Sequence, residues 1–337
     1  LILPDARACN DADVPDPVLV EVVRGDVVES VHRGSVVIID SDGSILDSIG
    51  DPGAIILPRS AVKHAQAVAS LECGADVSGR LLALAASSHS GEFFHVQGVE
   101  VILASVGLTA DDLGCPPDLP MDPAALKTWL ASGRSEERIV MNCSGKHATM
   151  LAACVASGWP TTTYLDPSHP LQLHVRSVID RLAGERTTDP QVDGCGAPLF
   201  GLSLLGLARL ESAVVLAADG TPERAVADAV RSHPTYASGT NRDVARLMAA
   251  VPGFISKEGA EGVHVGALAD GRALAFKIED GSMRGRTPII MTILRALGVD
   301  AARLNGLADL EFPPVFGGGA PVGELRASDE LRHLLTH

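Results

Sequence analysis

Aromatic residues are scarce in this chain. Two Trp, two Tyr and seven Phe make up 3% of 337 residues, so there is no platform on which nucleic-acid bases could stack. Basic charge is also short. Twenty-seven Lys and Arg stand against 42 Asp and Glu, a net charge of -15, which excludes the basic face that phosphate binding needs and argues against an anionic membrane surface. No apolar run approaches the roughly 20 residues of a membrane-spanning helix, and no signal peptide is recognisable. Six cysteines, at 9, 73, 115, 143, 154 and 195, are too few to staple a domain of this size. They read as reduced thiols or metal ligands of a cytoplasmic protein. What is abundant is Ala, Val, Leu and Gly: 46% of the chain is hydrophobic and 20% charged, the composition of a globular protein with a well-buried core.

The pattern of short runs sets the architecture. Residues 1–17, rich in Asp and Pro, read as a loose arm. Strand patterns follow at 18–23, 27–31, 35–40 and 44–49, the last two joined by Ser41-Asp42-Gly43. A helix is expected over 60–73, and helical periodicity recurs at 98–107, 122–132, 146–157, 170–183, 198–209, 221–232 and 240–250. Strands return at 262–269 and 273–279 around Asp270-Gly271, and a last helix is expected at 286–297. Strands, then helices, then strands predict an α+β fold. An antiparallel sheet is built from both chain ends (18–59 and 251–337), and residues 60–250 form a large helical insertion. A cleft between the two parts is where ligand sites form.

Five clusters carry candidate chemistry. Ser60 and Lys63, in Leu57-Pro58-Arg59-Ser60-Ala61-Val62-Lys63, form an S-x-x-K pair at the expected junction of sheet and helices. Residues i and i+3 share a helical face, so the amine could reach the hydroxyl and act as its base if its pKa were lowered. The bland alternative is a helix-capping Ser60 beside a solvated Lys63. Ser87-Ser88-His89-Ser90-Gly91-Glu92 ends an apolar run and could form a site floor or only a helix terminus. In Asn142-Cys143-Ser144-Gly145-Lys146-His147, a helix N-terminus would favour a Cys143 thiolate. Asp193-Gly194-Cys195-Gly196-Ala197-Pro198 is a tight turn.

Cys143, Cys195 and His147, with Asp193 as ligand or outer partner, resemble the parts of a zinc site; two buried free thiols are the alternative. Ser256-Lys257-Glu258-Gly259 resembles the K-T-G element of serine β-lactamases and penicillin-binding proteins, with Glu258 where Thr or Ser is expected and no S-D-N elsewhere. Lys277 is a competing lysine, read as structural.

Arg59-Ser60-x-x-Lys63, Ala86-x-Ser88-His89-Ser90, Cys143-Ser144-Gly145-Lys146-His147 and Asp193-Gly194-Cys195-Gly196-Ala197-Pro198 together resemble the asparaginase II family, L-asparaginases of rhizobial type, over about residues 18–330. The resemblance implies a fold similar to serine β-lactamases and glutaminases, a homodimer, and L-asparagine as substrate. It implies two Ser-Lys tandems, Ser60 with Lys63 and Ser88 with Lys257, as catalytic residues. It also implies a zinc ion held by Cys143, Lys146 and Cys195 with Asp193 and His147 nearby, which puts Lys146 ahead of His147 as a ligand. Arg59, His89, Asp193 and His147 are the candidates for substrate contact. Val62 and His64 depart from the family pattern. The rival readings are a zinc hydrolase using metal-bound water, a glutaminase or β-lactam-recognising amidohydrolase, and a non-catalytic zinc or amino-acid-binding protein.

Overall fold

The computed structural model describes residues 15–336, so Cys9 and most of the expected arm, residues 1–14, lie outside the described residues. The strands are β1 (Val18–Arg24), β2 (Val27–Ile39), β3 (Ile45–Ile49), β4 (Ile55–Ile56), β5 (Gln191–Val192), β6 (Pro198–Leu199), β7 (Leu202–Ser203), β8 (Ile255–Glu258), β9 (Val263–Ala267), β10 (Ala273–Ile278), β11 (Pro314–Gly317) and β12 (Ala320–Ala327). The helices up to the last long one are α1 (Lys63–Glu72), α2 (Gly79–Ala85), α3 (Phe93–Ser105), α4 (Pro123–Ala131), α5 (Ser144–Ser157), α6 (Pro170–Ala183), α7 (Leu204–Leu216), α8 (Pro222–Ser232), α9 (Pro234–Ala237), α10 (Asp243–Ala250) and α11 (Arg286–Ala296). Three short helices, Ala301–Asn305, Ala308–Glu311 and Asp329–Arg332, complete the chain.

Eight strands form one antiparallel sheet in the order β11-β12-β1-β2-β10-β9-β8, with β3 also on β2. The chain ends therefore meet at its centre, and the α+β architecture is the one that the strand–helix–strand order predicts. The two runs expected at 27–31 and 35–40 are one continuous strand. β2 pairs with β1 through its first half and with β10 from Gly34 onward. A Cβ at Gly34 would collide with the Lys277 carbonyl, so glycine here marks close strand approach and not a break.

The helix expected at 198–209 begins only at Leu204, because residues 198–203 serve the small pairings of β6 and β7. The helix at 286–297 is not the last element. β12 adds to β1 through pairs such as Val20 with Ala327, a long-range contact that local periodicity does not encode.

Helix α7 is the centre of the molecule, packed on β2, β9 and β10 on one side and on α6 and α8 on the other. Its Leu204, Leu207, Ala208, Leu210 and Val214 are completely buried, which makes the sheet and the helical block share one core. Helix α11 covers the opposite face beside β1 and β12. This arrangement leaves β8 as the sheet edge that faces the start of α1. No helix among the described residues is long and apolar enough to cross a membrane.

Candidate active site

Five lysines occur in the whole chain, and three of them are buried: Lys63 at 0%, Lys146 at 2% and Lys257 at 1% exposure. Lysine is rarely buried without a partner, so these three mark the site.

Ser60 lies in a 3-10 turn, Arg59–Val62, that runs into α1. It caps neither helix with its side chain, and its hydroxyl makes no hydrogen bond among the described residues. The Ser60–Lys63 pairing expected from i,i+3 spacing is not the contact that forms. Lys63 Nζ instead donates to the Ser87 carbonyl at 2.5 Å and to Ser88 Oγ at 3.0 Å. The tight turn projects Ser60 differently from a residue one α-helical turn back, and the long lysine stem crosses to the end of α2. The other tandem is corrected in the same way, since Lys257 Nζ meets the Glu258 carbonyl at 2.8 Å and Glu258 Oε2 at 3.2 Å and not Ser88. Lys257 nonetheless lies near enough for the Lys63 charge to act on it. Burial, opposed by Glu258 and helped by Lys63, pushes its ammonium down to about 8. Lys277 is remote from this group, with its amine on the Glu261 and Ile278 carbonyls.

Strand β8 approaches the Ser60 turn through Gly259, where a Cβ would strike the Pro58 carbonyl. The glycine expected to admit a ligand thus admits the protein's own backbone. Arg59 stands at φ 52°, a left-handed conformation costly to any residue with a Cβ. Its guanidinium is held 2.6 Å from Asp193 Oδ1, which ties the Ser60 turn to the Asp193–Cys195 turn.

His89 is fully buried. Its Nδ1 accepts from the Gly91 amide, and its Nε2 donates to Ser144 Oγ at 2.8 Å, while the Ser144 hydroxyl itself donates to the Ile139 carbonyl. Burial first, and then the charges of His95 and Lys63, hold its pKa well below the usual range. A neutral ring with both nitrogens occupied fixes the Ser88 turn and leaves nothing for a substrate. His64, one of the departures from the family pattern, turns away from the cleft. Its Nδ1 lies 2.9 Å from Glu211 on α7, both side chains buried.

The second group gathers Cys143, Lys146, His147, Asp193 and Cys195. Lys146 Nζ donates to Cys195 Sγ at 3.0 Å. Interaction with Cys143, opposed by burial and assisted by Lys146, pulls the Cys195 thiol far below its ordinary value, and interaction with Cys195 followed by burial raises Cys143. The Cys143 thiol donates to Asn142 Oδ1 at 3.0 Å, so the downward pull falls on Cys195 and not on the residue at the helix N-terminus. Burial would lower the Lys146 amine, but the charges on Cys195 and Cys143 outweigh it and raise its pKa. Burial and the Lys146 charge push His147 down to about 4. Its Nδ1 is 2.6 Å from the Tyr164 hydroxyl, and its Nε2, beside Cys195, has no well-formed hydrogen bond.

Among the described residues no three His, Cys, Asp or Glu side chains converge as a metal-binding group. The donors present are two sulfurs and an amine, with an unsatisfied imidazole nitrogen adjacent, a soft set that suits zinc once the amine loses its proton.

Sequence reasoning missed Tyr164, Glu211 and Arg242. Nothing local marks them, because each acts from an element far along the chain. Glu258 was visible only as a mismatch.

Several solved structures resemble this fold. Mglu in its tris and glutamate form has a TM-score of 0.40 and 16% identity, covering 88% of this chain and 63% of that one. Mglu in its native form gives 0.39 and 13%, covering 74% and 60%. EstCE1, a hydrolase with promiscuous acyltransferase activity, gives 0.40 and 11%, covering 74% and 90%. The chain spans about three fifths of the length of the Mglu chains. Among the curated proteins compared, none matches the sequence significantly. The sequence model described as L-asparaginase II matches residues 20–327, nearly all of the chain and every motif above, and the protein belongs to the L-asparaginase II family.

Proposed function

We propose that this protein hydrolyses the side-chain amide of L-asparagine to L-aspartate and ammonia. The observation that carries the reading is the buried Lys63–Ser88 pair at 3.0 Å, with Ser60, whose hydroxyl makes no hydrogen bond among the described residues, three positions before Lys63. Ser60 attacks the amide carbon, and the Lys63 amine takes its proton. Ser88, already held on that amine, passes the proton to the departing nitrogen, so that ammonia leaves and an aspartyl ester remains on Ser60. Water then repeats the sequence in reverse and frees aspartate. The Ala61 amide is taken by the Pro58 carbonyl at 3.0 Å, so the Arg59 and Ser60 amides at the start of the 3-10 segment are the proposed donors for the oxyanion.

Cys143, Lys146 and Cys195 would hold zinc, with His147 beside them. When bound, the ion would supply a fixed positive charge close to the site in place of the Lys146 proton. The Arg59–Asp193 pair ties this group to the Ser60 turn. Cytoplasmic setting and homodimeric assembly belong to the same reading.

The test is ammonia release from L-asparagine, L-glutamine and a chromogenic β-lactam by wild type and by Ser60→Ala. Release from asparagine that Ser60→Ala abolishes supports the proposal. No release by wild type at millimolar asparagine ends it, and release that survives in Ser60→Ala but not in Cys143→Ala transfers the chemistry to a metal-bound water.

A further inference from the structure

At the end of β8 stands a group of buried and half-buried charges to which the steps proposed for Ser60, Lys63 and Ser88 assign no role. Glu258, at the end of β8, has Oε1 2.9 Å from Arg242 Nη2 and Oε2 3.2 Å from Lys257 Nζ. Arg286 pairs with Asp243 and also reaches His264 Nδ1 at 3.2 Å. His264 Nε2 lies 2.7 Å from Ser256 Oγ, and burial, followed by the Arg286 charge, holds the ring uncharged. Three cations, Arg242, Lys257 and Arg286, thus face two carboxylates, Glu258 and Asp243. That is one positive charge in excess, and it lies on the member of the group that solvent reaches.

Arg242 is the cation placed to meet one. Its side chain is 24% exposed, against 1% for Lys257 and 7% for Arg286. Nη1 touches only the Met121 sulfur, at 3.9 Å, a weak acceptor, and Nε has no acceptor among the described residues. The stem of Arg242 lies over Gly239, where a Cβ would come within 3.0 Å of its Cγ and would collide with Ser90 Oγ. Ser90 is two residues from Ser88 and is fastened here by its amide to the Ser238 carbonyl at 2.9 Å. The Arg242 stem therefore packs at Gly239, next to the turn that carries Ser88, while its guanidinium lies on Glu258.

We propose that Arg242 binds the α-carboxylate of the amino-acid substrate. Glu258 is the positioning residue that holds the guanidinium and shares its charge with Lys257. The proposal rests on the amidohydrolase reading above and names a subsite within it. A planar guanidinium with unused N–H groups meets a carboxylate through two parallel bonds. Glu258 is already committed to two cations, so the surplus charge selects an anion and not the substrate's ammonium. It also gives a use to the residue that breaks the K-T-G pattern. A Thr or Ser there could not hold Arg242 by charge.

The experiment compares L-asparagine with 3-aminopropanamide, which is asparagine without its α-carboxylate, in wild type, Arg242→Gln, Arg242→Lys and Glu258→Gln. Arg242→Gln should raise KM for asparagine roughly 10- to 100-fold with a smaller change in kcat, and should lower the preference for asparagine over 3-aminopropanamide by a similar factor. Arg242→Lys keeps the charge but loses the fork and should fall between. Glu258→Gln should raise KM in the same direction. If Arg242→Gln, or Arg242→Lys should the first variant not fold, keeps the wild-type preference within about twofold, Arg242 does not bind the carboxylate. A wild type that releases no ammonia from asparagine overturns the parent reading instead, so the two failures are told apart.

Discussion

Replacing Ser88 by Ala separates chemistry from scaffold. The hydroxyl is 6% exposed and sits 3.0 Å from Lys63 Nζ. Its loss removes one hydrogen bond to an amine, worth about 1–3 kcal/mol to stability. Lys63 keeps the Ser87 carbonyl at 2.5 Å, so its amine is not left without an acceptor and the low end, about 1 kcal/mol, applies. In a chain of this length that lowers Tm by about 2 °C, and the protein remains folded at assay temperature. If Ser88 moves the proton between Lys63 and the leaving nitrogen, kcat instead falls by roughly 10²–10⁴-fold.

Ammonia release at saturating asparagine and thermal unfolding of the same preparation give both numbers. Ser60→Ala loses no hydrogen bond recorded for its hydroxyl. Its stability should stay within about 0.5 kcal/mol of wild type while activity drops to background. A Ser88→Ala protein that lost stability yet retained more than about a tenth of kcat would show the Lys63–Ser88 contact to be structural and refute the reasoning. Mass spectrometry of quenched enzyme adds the last piece, with the aspartyl ester expected on the Ser60 peptide.

Other consequences follow from the same geometry. Burial lowers the Lys257 ammonium from 10.5 to about 8. Below pH 8 both folded and unfolded forms are protonated and the penalty is complete; between about 8 and 10.5 the unfolded chain binds more protons, so stability rises with pH, by up to about 3 kcal/mol. Urea unfolding across that window should show a rise in wild type that is smaller in Lys257→Met, and equal slopes would count against the buried charge. Arg59 stands at φ 52°, so Arg59→Gly, which loses the Asp193 pair but relaxes the backbone, should be more stable than Arg59→Ala by about 1 kcal/mol. An Ala variant as stable as the Gly variant in denaturant titration would dismiss the strain. Dialysis against zinc followed by metal analysis should find about one ion per chain, lost in Cys143→Ser and Cys195→Ser and released below neutral pH as the thiolates protonate. Zinc retained by both variants would place it elsewhere.

Much of the sheet was legible because short apolar runs bounded by turn residues mark β1, β9 and β10, of which β9 is buried along its whole length. The end of the chain was not, since β12 acquires its partner β1 only when residues some 300 positions apart meet. The candidate site shows the same division. S-x-x-K, C-S-G-K-H and D-G-C-G stand out because Gly, Cys and Lys cluster at turns before helices. Which lysine touches which serine did not, because a four-carbon stem reaches several neighbours and burial decides among them. Glu211 and Arg242 carry no local signal at all; one is an ordinary residue of α7 and the other precedes α10, until another element packs against each.

By itself, the sequence determined the composition of the core, the α+β order of elements, the family, and the short turns that present Ser60, Ser88, Cys143 and Cys195. Only the tertiary structure decided that Lys63 belongs to Ser88, that Lys146 reaches Cys195, and that Glu258 joins Arg242 to Lys257. The reason is physical. Turns and periodicity are written in φ, ψ and side-chain alternation within a few residues, whereas the partner of a buried charge is whatever the packing of distant elements leaves within about 3 Å of it.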